Sequence, residues 1–107
     1  MVTIGLYYQV RPGKEQVFEQ TADRVMELLA ANPGHLKSFL YRDVKNPLSY
    51  AILSEWNSSG AFGAFLNSEA FKQIAEFGRS QVLQERPRHR VYGAERELGA
   101  ADTEAPS

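Results

Sequence analysis

Few side chains in this 107-residue sequence are suited to chemistry, and they lie far apart along the chain. His35 and His89 are its only two histidines. Imidazole takes up protons near neutral pH, so either is a candidate general base, with a surface or structural hydrogen bond as the plainer role. Neither belongs to a His-x-x-x-His spacing, and no metal site is expected from them. Tyr8 is the third candidate catalytic group. Its hydroxyl needs a partner if the strand carrying it turns that face inward, and a substrate oxygen is one such partner. Around His89, Arg86, Arg88 and Arg90 form a basic cluster. On a strand, Arg88 and Arg90 project to the same side. There they suit a substrate carboxylate or an acidic group of another subunit, or simply guard an edge strand against aggregation.

Composition removes several classes of function. No cysteine is present, so disulfides, thiolate catalysis and cysteine-based zinc or iron–sulfur sites are excluded. Twelve Lys+Arg against 13 Asp+Glu leave a net charge of −1, too balanced to steer nucleic acid or an anionic membrane. Gly60 and Gly63 fall inside a helical pattern rather than in a phosphate-binding loop. Apolar runs are short, and nothing approaches the roughly 20 residues needed to cross a bilayer. Met1-Val2-Thr3-Ile4 lacks the basic and apolar regions of a secretory signal, so a cytoplasmic location is expected. At this length one core is feasible and a second domain is not.

A short series of elements must position these groups. Val2, Ile4, Leu6, Tyr8 and Val10 share one parity, which predicts a half-buried strand broken by Pro12-Gly13. Between Lys14 and Ala31, apolar residues from Val17 to Leu29 recur at spacings of three and four. That is an amphipathic helix, which Asn32-Pro33-Gly34 stops. A strand follows over residues 35–43, and its alternation puts His35 with Lys37 and Phe39 on the side away from the helices. Lys45-Asn46-Pro47 turns into a partner strand ending at Trp56. Asn57-Ser58-Ser59 and Asn67-Ser68 offer caps to two helices. The first puts Ala61, Phe62, Phe65 and Leu66 on one side, and the second turns Phe71, Ile74, Ala75 and Val82 inward. Pro87 opens a last strand over 88–94. Residues 1–96 are expected to form the domain, and the small, polar stretch 97–107 a disordered tail.

The order β, α, β, β, broken α, β predicts an α+β fold of the ferredoxin-like split βαβ type. Its four-stranded antiparallel sheet carries helices on one face. The other face would expose Tyr7, Phe39 and Tyr41, and a homodimer pairing the two sheets is the expected repair.

The segment SEWNSSGAFGAFLNSEAF, residues 54–71, joins Arg11-Pro12-Gly13-Lys14-Glu15 and Pro33-Gly34-His35-Leu36 in resembling the antibiotic biosynthesis monooxygenase superfamily, the dimeric α+β barrels. In that family a strand ends in Trp, followed by a polar turn, an Ala-Phe pair, a further aromatic and Ser-x-x-Phe. Trp56, Ser58, Ala61, Phe62, Phe65, Ser68 and Phe71 stand at those places. The resemblance covers about residues 2–95.

It implies a homodimer with one pocket per subunit between sheet and helices, taking a small hydrophobic or aromatic substrate. Leu6, Tyr8, Trp56, Phe62, Phe65 and Phe71 are the candidate walls, although each aromatic among them serves equally as core packing. It also implies oxygenation of quinols or polyketide-like phenols by molecular oxygen, with no cofactor. An electron-rich phenolate passes an electron to oxygen directly, so the protein need supply only a dry cavity and a group that stabilises the anion. A non-catalytic binding or regulatory protein on the same fold is the alternative. The heme-degrading branch uses an Asn, a Trp and an iron-ligating His where this chain has Leu6, Phe65 and approximately Ala75. No histidine lies between Gly60 and Gln84, so heme is not expected.

Overall fold

The period-two pattern at the start of the chain becomes β1 (Val2–Gln9), with Ile4, Leu6 and Tyr8 buried along one face. This computed structural model describes residues 1–93; the expected tail at 97–107 lies outside the described residues. After β1 the chain turns at Gly13, whose φ of 86° lies in the left-handed region that glycine enters without strain. The helical stripe becomes α1 (Glu15–Ala30), which buries Phe18, Ala22, Val25 and Leu29. β2 (His35–Arg42) and β3 (Ser49–Trp56) follow, then α2 (Ser59–Leu66), α3 (Glu69–Gln81) and β4 (Arg88–Gly93). Both expected serine caps form. Ser58 Oγ accepts from the Ala61 N–H and Ser68 Oγ from the Phe71 N–H, each at 3.3 Å.

The strands pair antiparallel in the order β2-β3-β1-β4, which is the ferredoxin-like α+β arrangement. One face of the sheet packs beneath the helices around Ile4, Leu6, Tyr50, Ile52 and Trp56. The polar member of this core, Ser54, is satisfied. Its Oγ accepts from Trp56 Nε1 at 2.9 Å and donates to the Ile4 carbonyl at 3.5 Å. On the opposite face Phe39 and Tyr41 are half exposed, with their rings 6.3 Å apart.

One expectation is overturned here. His35 does not share the face of Lys37 and Phe39, because a β-bulge lies between His35 and Lys37. His35 pairs with Trp56 while Lys37 pairs with Glu55, so the extra residue turns the histidine onto the helix side. Its ring meets Trp56 edge-on, with centroids 5.4 Å apart.

α3 is held at its two ends. Ser68 caps its start. Beyond its last turn, the Arg11 N–H donates to the Val82 carbonyl at 2.9 Å and the Gln84 N–H to the Gln9 carbonyl at 2.8 Å. Between those anchors no α3 side chain is fully buried, and the helix rests chiefly on α1 and α2.

Candidate substrate pocket

The void beneath the helices lies between β1, β3, α1 and α3. It has a volume of about 40 Å³ and is lined by Tyr8 and Ile52 from the sheet, Phe18, Thr21, Ala22 and Val25 from α1, and Phe71, Ile74, Ala75 and Gly78 from α3. Val82, Leu83 and Pro87 close it. α1 contributes because the stripe that packs the core also fronts the void. Thr21, the one polar lining residue besides Tyr8, has spent its hydroxyl on the Val17 carbonyl at 2.9 Å, a bond back along its own helix.

Tyr8 is therefore the chemical feature of the cavity. It is 8 % exposed, and its ring packs against Phe18 with centroids 5.1 Å apart. Among the described residues its hydroxyl has no hydrogen-bond partner. Burial pushes this phenol well above its usual value. It stays protonated across the physiological range and can donate to an oxygen but cannot act as a base. Its cross-strand neighbour Tyr50 differs in that its hydroxyl donates to Glu19 Oε2 at 2.6 Å, with Arg42 3.9 Å from the same carboxylate.

The other candidates lie elsewhere. Tyr8 pairs with Tyr50 and His35 with Trp56, six residues further along β3, which separates the two by about 20 Å. His35 Nε2 is shut off from solvent without a hydrogen-bond partner. Burial lowers the pKa of this ring, with a backbone hydrogen bond at Lys37 pulling the other way, so it is neutral at pH 7. His89 is exposed on the edge strand β4, opposite Leu6, with its ring 6.2 Å from Phe62. Among the described residues no three His, Asp or Glu gather as metal ligands, and no helix is long and apolar enough to cross a membrane.

Of the six candidate walls, Tyr8 and Phe71 meet at the cavity. Leu6, Trp56, Phe62 and Phe65 are packed solid beside it, at most 4 % exposed. Trp56 touches Phe62 and Phe65 at centroid distances of 5.7 and 6.0 Å, and Phe65 reaches Phe71 at 4.7 Å, so one aromatic chain runs from the sheet to the cavity wall. The α1 residues Thr21, Ala22 and Val25 were legible as an inward stripe but not as pocket lining. Gly78 and Pro87 carried no sequence signal for it.

Residues 1–76 match the family model described as "Antibiotic biosynthesis monooxygenase". A protein of Natronomonas pharaonis provisionally named for heme binding is 39% identical over 87 residues, 81% of this chain and 14% of that protein. The "42.8 kDa protein in whiE locus" of Streptomyces coelicolor is 34% identical over 75 residues, 70% of this chain and 19% of that protein. The chain thus spans less than a fifth of these curated relatives. Among solved structures, SnoaB of Streptomyces nogalater, described as a cofactor-independent oxygenase, superposes with a TM-score of 0.77 at 24% identity. That match covers 92% of this chain and 96% of SnoaB. By its family-model match over most of its length, the chain belongs to the antibiotic biosynthesis monooxygenase family.

Proposed function

We propose that this chain oxygenates a small aromatic or quinol-type molecule with molecular oxygen, bound against Tyr8 and without a resident cofactor. The observation that carries the proposal is Tyr8, a buried residue at the wall of a largely apolar cavity, whose hydroxyl has no protein hydrogen-bond partner among the described residues. A phenol donor in a dry site favours the deprotonated form of a phenolic or enolic substrate, and that electron-rich anion reduces oxygen itself. For a CH₂ flanked by aryl rings, one oxygen atom becomes the new carbonyl and the other leaves as water with the two hydrogens. No external reductant is consumed. The family and the SnoaB neighbour support oxygenation, while the lining supplies no base, so a substrate acidic enough to ionise readily is required.

At about 40 Å³ the cavity is smaller than the roughly 150 Å³ that accepts a benzene ring, so binding requires α3 to lift. Heme does not fit these residues. The chain has no cysteine, no histidine lies between Gly60 and Gln84, and the Tyr8 phenol is held protonated.

A non-catalytic ligand-binding module is the second reading, favoured by the absence of a base in the lining. Oxygen uptake with a panel of anthrones and quinols separates the two. Protein-dependent uptake supports the enzyme, whereas ligand-induced thermal stabilisation without uptake supports the binder. The exposed Phe39 and Tyr41 support a homodimer through the outer face, and sedimentation at micromolar concentration is expected to give twice the chain mass. Residues 1–96 acting as one unit in the cytoplasm complete the proposal.

A further inference from the structure

On the helix side of the molecule, between α3 and the turn that leads into β4, lies a second cleft of about 370 Å³. Its floor is apolar and consists of Leu66, Phe71, Ala75 and Pro87. Phe71, Ala75 and Pro87 also line the void beside Tyr8, so the two spaces share a wall. A cavity that accepts a benzene ring measures roughly 150 Å³, so whatever part of an aromatic molecule outgrows the inner 40 Å³ has its room here.

The rim of this cleft is charged. Lys72, Glu76 and Arg79 recur at spacings of four and three along α3, which sets them on one side of the helix. Arg86 joins them from the turn. The Glu76 carboxylate is taken by Arg79, and Glu85, next to Arg86 in the chain, lies 3.9 Å from Arg88 instead. Among the described residues, the Lys72 ammonium and the Arg86 guanidinium therefore have no carboxylate partner.

A solvated helix face carries charges of both signs that neutralise one another, as Glu76 and Arg79 do. Two further cations, brought from separate elements to the edge of one apolar floor, leave a local surplus of positive charge in a chain whose net charge is −1. The other flank of α3 differs. Its groove against α1, between Gln20 and Phe77, holds a single cation, Arg24. The homodimer proposed above uses the opposite side of the sheet and leaves the cleft open.

We infer that the substrate is an aryl carboxylate, its ring bound beside Tyr8 and its carboxylate held at this rim by Lys72 and Arg86. The inference rests on the cavity being the substrate pocket and adds the charge of the molecule that fills it. The guanidinium fork accepts both carboxylate oxygens and the ammonium supplies a point charge, so the pair selects the anion without touching the reacting carbon.

The test compares two ligands that differ only in charge, anthraquinone-2-carboxylate and its primary amide, by calorimetric titration of the full chain. The carboxylate is expected to bind about fivefold more tightly, the scale of a partly exposed ion pair. The ratio should fall to about one in the K72Q/R86Q double substitution, shrink in 0.5 M salt and stay unchanged in R24Q, all three side chains being exposed. Equal binding of the two compounds, no binding of either, or a preference that the double substitution retains overturns the inference. Oxygen uptake with the corresponding anthrones keeps the two readings apart. Uptake without a carboxylate preference removes the aryl carboxylate alone, and a carboxylate preference without uptake removes the oxygenase alone.

Discussion

α1 and α3 cover the same side of one sheet, yet they are attached to it differently. α1 drives Phe18, Ala22, Val25 and Leu29 into the core, and Leu29 is wholly buried. α3 is as amphipathic in sequence, but it buries nothing fully. Phe71 and Ile74 are half-buried and Phe77 is 44 % exposed. What holds α3 is its ends: the Ser68 cap and the bonds that Val82 and Gln84 make to the end of β1. A helix anchored at both ends with little burial between them opens at small free-energy cost, whereas one with four buried side chains opens only when the domain unfolds. α1 is a wall and α3 a roof, and the void lies between them. That division supplies what the narrow cavity lacks, room for an aromatic molecule beside Tyr8.

The largest expected effect is on the wall. Leu29→Ala should cost about 3 to 4 kcal/mol of unfolding free energy, while Ile74→Ala on α3 should cost about 1 kcal/mol, both read from urea denaturation. Equal costs would mean that α3 is as much a part of the core as α1, and the roof would be lost from the account.

A smaller effect concerns pH and the wall side of the sheet, where His35 packs edge-on to Trp56. Burial lowers the folded-state pKa of this histidine, so as pH falls through the ordinary histidine value near 6.5 the unfolded chain takes up a proton that the folded chain resists. Stability should therefore decline between about pH 7.5 and 5.5, and the decline should be shallower in His35→Phe. Denaturation curves at the two pH values in both proteins check this. An identical slope in the variant would show that the ring titrates as though in water.

Much of this division was visible in residue spacing. The α1 stripe, the two serine caps and the β1 alternation each follow from a local rule, and each formed where expected. The face of His35 was not visible, because one extra residue in a β-bulge inverts the parity of everything before it and leaves no mark in composition. Nor could spacing tell Phe71, which borders a void, from Phe62 and Phe65, which pack on Trp56. Core and pocket demand the same apolar residues at the same intervals, and only the distance between α3 and the sheet separates them. Tyr8 was legible as an inward phenol, while its want of a partner depends on tertiary neighbours such as Phe18, Ile52 and Val25, apolar residues that line the same cavity.

Tyr8→Phe is the most direct test, because it removes one oxygen atom and leaves the cavity its shape. Oxygen uptake with an anthrone substrate should fall at least about tenfold, the loss of one hydrogen bond to a charged group. The unfolding free energy should hold or rise slightly, since a hydroxyl with no protein partner contributes nothing to the fold. A Tyr8→Phe chain that turns over at the wild-type rate would contradict the account and move the reacting molecule away from this cavity.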